Sequence, residues 1–135
     1  MLGWVGDIRA ETNDNSTFRT VLDTERHTQL TVMCIPAGED IGREVHRHHD
    51  QFLRIEEGHA RVELGASEDE IEETHHLSAD WAVIVPAGVW HNVVNTGDAD
   101  LKLYSLYSPP VHLDGTVHYT KAEAEAAERI ERALR

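Results

Sequence analysis

The sequence predicts an all-β protein with a short C-terminal α-helix. Three observations carry that reading. Nine short segments are rich in β-branched and aromatic residues or alternate in polarity; clusters of Gly, Pro, Asn and Asp separate them; and only the residues from Lys121 onward change to helical spacing.

The strand segments fall at 18–23 (FRTVLD), 27–35 (HTQLTVMCI), 44–48 (EVHRH), 51–57 (QFLRIEE), 59–65 (HARVELG), 71–77 (IEETHHL), 81–86 (WAVIVP), 90–95 (WHNVVN) and 101–107 (LKLYSLY). Between them, PAGEDIG, EEGH, GASEDE, PAG and NTGDAD supply the turn chemistry at which a chain reverses. Nine strands within about 90 residues is the spacing of an antiparallel sandwich or barrel. At the C-terminus, Thr120 followed by Glu123 forms a capping box, so a helix is expected from about Lys121 to the end. Glu125 with Arg129, Glu128 with Arg132 and Glu131 with Arg135 stand four apart with the acid first, the favourable order on a helix surface. Ala122, Ala126, Ile130 and Ala133 are its expected docking face.

At 135 residues the chain is expected to form one compact domain. Its 25 acidic and 12 basic residues give a formal net charge of −13, which opposes binding to nucleic acid or to anionic lipid. The first ten residues, MLGWVGDIRA, lack the basic and apolar regions of an export signal, and no segment approaches the roughly 20 apolar residues of a membrane helix. A cytoplasmic protein is the expectation. Cys34 is the only cysteine, which excludes an internal disulfide and a cysteine-based zinc site, and its context LTVMCIP makes it a packing residue.

The chemistry begins in EVHRHHDQ. In a strand, His46 and His48 point to the same face and make a chelating pair, whereas His49 falls on the other phase and is set aside. Such a pair also occurs exposed or merely hydrogen-bonded, so a second segment decides the reading. In VIVPAGVWHNVVN, residues 83–95, Pro86, Gly88, His91 and Asn95 fit the pattern P-x-G-x-x-H-x-x-x-N. This pattern resembles the second motif of the cupin superfamily. The first cupin motif is H-x-H, three or four residues, an acid, six residues, then Gly; His46, His48 and Gly58 fit its fixed points, and Gln51 stands at the acid's place. The interval between His48 and Gln51 is one residue short of the family's minimum, and Asp80 stands where the family usually has Gly.

The motifs cover residues 38–107, preceded by N-terminal strands within 1–35 and followed by a tail and helix over 108–135. The wider frame is similar to small single-domain bacterial cupins often labelled mannose-6-phosphate isomerase-like. The resemblance implies a jelly-roll barrel with a metal near one mouth, commonly in a homodimer that borrows an N-terminal strand. It implies the ligand set His46, His48, Gln51 and His91 around one divalent ion (Fe, Ni, Zn, Cu or Mn), with Gln51 removing the negative charge an acid would bring. Tyr107 and His112 are candidates to contact substrate, although His112, like His118, has the alternative of capping the barrel and leading into the helix. His75 and His76 read as surface residues, and Trp4, Trp81 and Trp90 as core or dimer contacts. No general base is identified. The expected function is that of a small metalloenzyme (an oxygenase, isomerase or lyase) acting on a chelating small molecule; the alternative is a non-catalytic cupin that binds a small ligand or metal.

Overall fold

The computed structural model describes residues 2–134. The order of elements is α1 (Ile8–Asp14), β1 (Arg19–Thr24), β2 (Gln29–Ile35), β3 (Asp50–Glu57), β4 (His59–Gly65), β5 (Glu73–Ser78), β6 (Ala82–Val85), β7 (Trp90–Asn95), β8 (Leu101–Ser108), β9 (Val117–His118) and α2 (Lys121–Ala133). A six-stranded sheet in the order β6-β3-β8-β2-β1-β9 faces a three-stranded sheet in the order β5-β4-β7. All the pairings are antiparallel. Met33, Leu53, Ile55 and Leu103 of the large sheet and Ala60, Val62, Leu77 and Val93 of the small one share a single buried cluster, so the two sheets close over one core as a jelly roll. Each fully buried aliphatic side chain contributes about 1.5–3 kcal/mol to that closure. No helix among the described residues is long and apolar enough to cross a membrane.

Strand register sorts the interior by polarity. Across β2 and β8, Ile35 faces Leu101, Met33 faces Leu103, Thr31 faces Ser105 and Gln29 faces Tyr107. On the other side of β8, Ile55 faces Leu103, Leu53 faces Ser105 and Gln51 faces Tyr107. All of these side chains are buried, so the interior runs from an aliphatic floor at the Leu101 end to a polar mouth at the Tyr107 end. The Thr31 and Ser105 hydroxyls satisfy each other at 2.9 Å midway, as buried polar groups must. At the floor end, Gly58 turns β3 into β4 with φ +104°, and a Cβ there would stand 3.2 Å from the Asp100 carbonyl and the Leu101 Cα, so only glycine fits without a shift.

Three local expectations are corrected. Residues 44–48 are not a strand: the segment makes a single isolated bridge, Glu44 to His91, and bends at Arg47 and His48. Residues 8–14 form a helix where the N-terminal part was read as strands. Asp7 caps it by accepting from the Ala10 N–H at 3.1 Å, but seven residues are too few to display a helical period. Helix α2 forms with both halves of its capping box, yet it turns a different face inward. Ala124 is its buried residue, Glu128 and Glu131 are half-buried, and Ile130 is 62% exposed. The small alanines offer little area, so polar ties set the rotation: Lys121 pairs with Asp40, and Glu128 approaches the buried Arg19 at 3.9 Å. Arg132 and Glu128 make the expected i,i+4 pair at 3.9 Å, whereas Arg135 lies outside the described residues. Trp81 is 57% exposed and so is not a core residue. Cys34 is buried as expected, and burial pushes its thiol up.

Candidate metal centre

The polar mouth is assembled by one backbone exchange. Glu44 and His91 donate N–H to each other's carbonyl at 2.9 Å, which places their side chains on the same face. The Gly88 N–H then donates to the His46 carbonyl at 2.8 Å, in a turn where Gly88 has φ +84°, and this pins the irregular 43–49 segment against the entry to β7. Glu44 Oε1 lies 3.4 Å from both His46 Nε2 and His91 Nε2. The ligand atoms of Glu44, His46 and His91 all fall within 4.8 Å of one another, a group that could hold a metal ion.

Tautomer and protonation suit that role. His91 Nδ1 lies 3.1 Å from the Val89 carbonyl, which can only accept, so the proton sits on Nδ1 and the lone pair on Nε2. His46 Nε2, His91 Nε2 and Gln51 Oε1 are buried with no hydrogen-bond partner, and the 3.4 Å approaches of Glu44 are too long to satisfy the imidazoles. Unpaired buried lone pairs are costly, and the two imidazole nitrogens beside the Glu44 carboxylate are donors that a cation would satisfy. Burial by itself would raise the Glu44 pKa, but the close approach of His46 and His91 holds its carboxyl well below the usual carboxylate range.

The structure brings together some of the expected ligands and not others. His46 and His91 belong to the group, and Gln51, 2% exposed, stands in register with Tyr107, whose ring centroid is 5.5 Å from that of His46. His48 is exposed on the bend and lies outside the group, because alternation does not apply where there is no strand. Glu44 takes the fourth place. With Glu44 and His46 on the two histidine positions of the first motif, four residues precede Gln51 and six separate it from Gly58, the family's own spacing. The short interval noted in the sequence was the sign that the frame had been set two residues late. This frame also restores the carboxylate that Gln51 had seemed to remove.

Beside the group opens a cavity of about 520 Å³, lined by His46, Trp90, Val111, His112 and α2 residues including Glu128. His112 lines this cavity, and the buried Tyr107 ring lies 5.2 Å from it, edge to face. Burial raises the Tyr107 pKa. Burial, followed by the charge of Arg19, pushes His112 down to about 3 despite the opposing influence of Glu44, so His112 is neutral here. The 111–112 segment is held by Gln29, which the sequence reading did not single out. Gln29 Oε1 accepts from the Val111 and His112 N–H groups at 3.1 and 2.9 Å, while its Nε2 donates to the His112 carbonyl at 2.7 Å. Asn95 of the second motif is structural, since its Nδ2 donates to the Ile35 and Ala99 carbonyls at 2.8 and 2.9 Å.

Residues 31–107 match the family described as the Cupin domain. The chain is a cupin. Over 125 residues this cupin is 53% identical to YrkC of Bacillus subtilis (strain 168), an alignment covering 93% of the cupin and 67% of YrkC. It is 37% identical over 122 residues to protein L612 of Acanthamoeba polyphaga mimivirus, covering 90% and 74% of the two chains. The crystal structure of BH2720 from Bacillus halodurans superposes on the cupin with a TM-score of 0.90 at 51% identity, covering 91% of the cupin and 93% of that chain.

Proposed function

We propose that this cupin holds one divalent first-row metal ion through Glu44, His46 and His91, with the Gln51 amide oxygen as a fourth ligand, and works as a small metalloenzyme on a chelating small molecule. The observation that supports it is the pair of buried, unpartnered nitrogens His46 Nε2 and His91 Nε2 beside the Glu44 carboxylate, with the Gln51 amide oxygen likewise buried and unpartnered. Two imidazoles and one carboxylate are the donors of non-haem iron sites, and a neutral amide leaves the protein's contribution at a single negative charge. A bound ion supplies Lewis acidity to a chelating substrate oxygen. The chain's own residues do the rest. Val89 fixes the His91 tautomer, the Gly88 N–H fixes the His46 backbone, and neutral His112, backed by the buried Tyr107 ring, forms part of the wall against which a small molecule is oriented.

Elemental analysis of protein purified without chelators tests the reading. About one equivalent of metal is expected in the wild type and in His48→Ala, and little in His46→Ala and His91→Ala. Metal retained in both of the latter variants would overturn it. Oxygen consumption and isomerisation assays on the loaded protein with diketones, flavonols and sugar acids then separate an enzyme from a metal-holding binder.

A further inference from the structure

Resting on that metal site, we infer that the molecule this cupin takes is an anion with a carboxylate distal to its chelating end, and that Arg19 is the residue that anchors that carboxylate.

Arg19 is the cation in this fold that burial leaves least explained. It is 2% exposed, and its Nε is buried with no hydrogen-bond partner. Thr20 and Val21 pair with Val32 and Thr31 across β1 and β2, so Arg19, two residues from Val21, shares the face that Thr31 turns to the interior. A buried guanidinium is normally bound by a carboxylate at 2.7–2.9 Å, often through two bonds. Here the nearest acid, Glu128 on α2, stops at 3.9 Å, and His118 Nδ1 stands at 3.4 Å. The guanidinium also stacks over the Phe18 ring at 5.4 Å, so the charge is held by a long ion pair, His118 and an aromatic face, with no short carboxylate contact.

That charge lies behind the cavity wall, 3.9 Å from Glu128, which does line the cavity. Glu128 and His112 line it together with His46 of the metal group, and the His112 ring lies between the His118 ring, 6.4 Å away, and the Tyr107 ring, 5.2 Å away. His112 Nε2 is itself buried and unpartnered. The cavity wall therefore presents lone pairs to a cation at His46, and the guanidinium fork of Arg19 lies one lining side chain away, behind Glu128, where an oxyanion that displaced the Glu128 carboxylate would meet it. The fork matches a planar carboxylate, and its fixed charge distinguishes an acid from the corresponding amide or alcohol. Glu128, being held only loosely, occupies the approach to that position in the free protein and gives way when a ligand carboxylate makes the shorter contact.

The test uses zinc alone and then glutarate as probe, with glutaramide as its neutral counterpart, each titrated calorimetrically into the full-length protein. The wild type is expected to bind zinc, and the zinc-loaded protein to bind glutarate in preference to glutaramide. Arg19→Gln should leave zinc affinity unchanged and weaken glutarate by about thirtyfold. Glu128→Gln, on a half-exposed helix position that does not endanger folding, should tighten glutarate by about threefold. If zinc binds but glutarate affinity is the same within twofold in wild type, Arg19→Gln and Glu128→Gln, the anchor is overturned while the metal site stands. If Arg19→Gln does not fold, an unchanged affinity in Glu128→Gln alone overturns it. If zinc fails to bind, the metal reading falls; the anchor is then read on metal-free protein, where loss of wild-type glutarate binding in Arg19→Gln supports it and equal affinity overturns it.

Discussion

Glu44 and His91 exchange both of their backbone hydrogen bonds, each at 2.9 Å, and this one bridge brings a carboxylate and an imidazole from distant parts of the chain to the same face. Glu44, rather than His48, is thereby placed beside His46 and His91, and the proposed metal site takes it as a ligand. Glu44→Gln keeps the shape and the bridge but removes the only charge in the donor set. Zinc or iron affinity measured by competition with a chromophoric chelator should fall at least about tenfold, the loss that even an outer-sphere substitution brings. His48→Ala should leave it unchanged, and the opposite ranking would return the site to the frame read from the sequence.

Gln29 is a positioning residue for the wall of the cavity. Gln29→Leu keeps its volume but removes the three bonds to residues 111 and 112 and leaves buried backbone groups unpaired. A loss of about 2–4 kcal/mol is expected in urea denaturation. Hydrogen exchange should also accelerate at the Val111 and His112 amides while the β3 and β8 amides keep their relative protection.

His112 gives the metal-free protein a pH dependence of known sign. Its folded pKa, about 3, lies below the unfolded histidine value of about 6.5, so the unfolded chain binds the extra proton first. Stability is unaffected above that unfolded value and falls as pH drops from about 6.5 toward 3, by up to about 1.4 kcal/mol per pH unit. His112→Leu should flatten this part of the curve in denaturant melts at pH 7, 6 and 5. An equal slope in wild type and variant would count against a buried, neutral His112.

Asp80 sits at φ +75°, the left-handed region that favours glycine, and its Oδ1 accepts from Arg54 Nη2 at 2.7 Å. In Asp80→Gly, relief of about 1 kcal/mol of backbone cost is offset by the entropy of glycine in the unfolded chain and by loss of an exposed ion pair. The melting free energy should therefore change by less than about 1 kcal/mol. Asp80→Val, β-branched at the same φ, should be less stable than the glycine variant by more than about 1 kcal/mol.

From β3 onward the sequence displays the fold plainly. Gln51, Leu53 and Ile55 alternate with Phe52, Arg54 and Glu56, and burial in β3 follows that alternation residue by residue. The second motif is equally legible, because Pro86, Gly88, His91 and Asn95 act through local turns and one strand. The first motif is harder to read. Residues 43–49 take their shape from hydrogen bonds to Gly88 and His91 rather than from their own pattern, so strand alternation paired His46 with the wrong neighbour. Arg19 and Gln29 left no mark in the sequence for a similar reason. Each looks like an ordinary polar residue in a strand until register shows which face it occupies. Helix α2 was placed by its capping box, but its rotation depends on Asp40 and Arg19, which no helical period can reveal.

The aliphatic floor of the jelly roll, closed by Ile35, Met33, Leu101 and Leu103, has a consequence for traffic. No molecule passes through this protein from end to end; whatever enters beside His46 must leave by the same doorway. A small molecule held in that cavity would therefore shut the doorway behind it, and α2, which lines the opening, is the element its exit must pass.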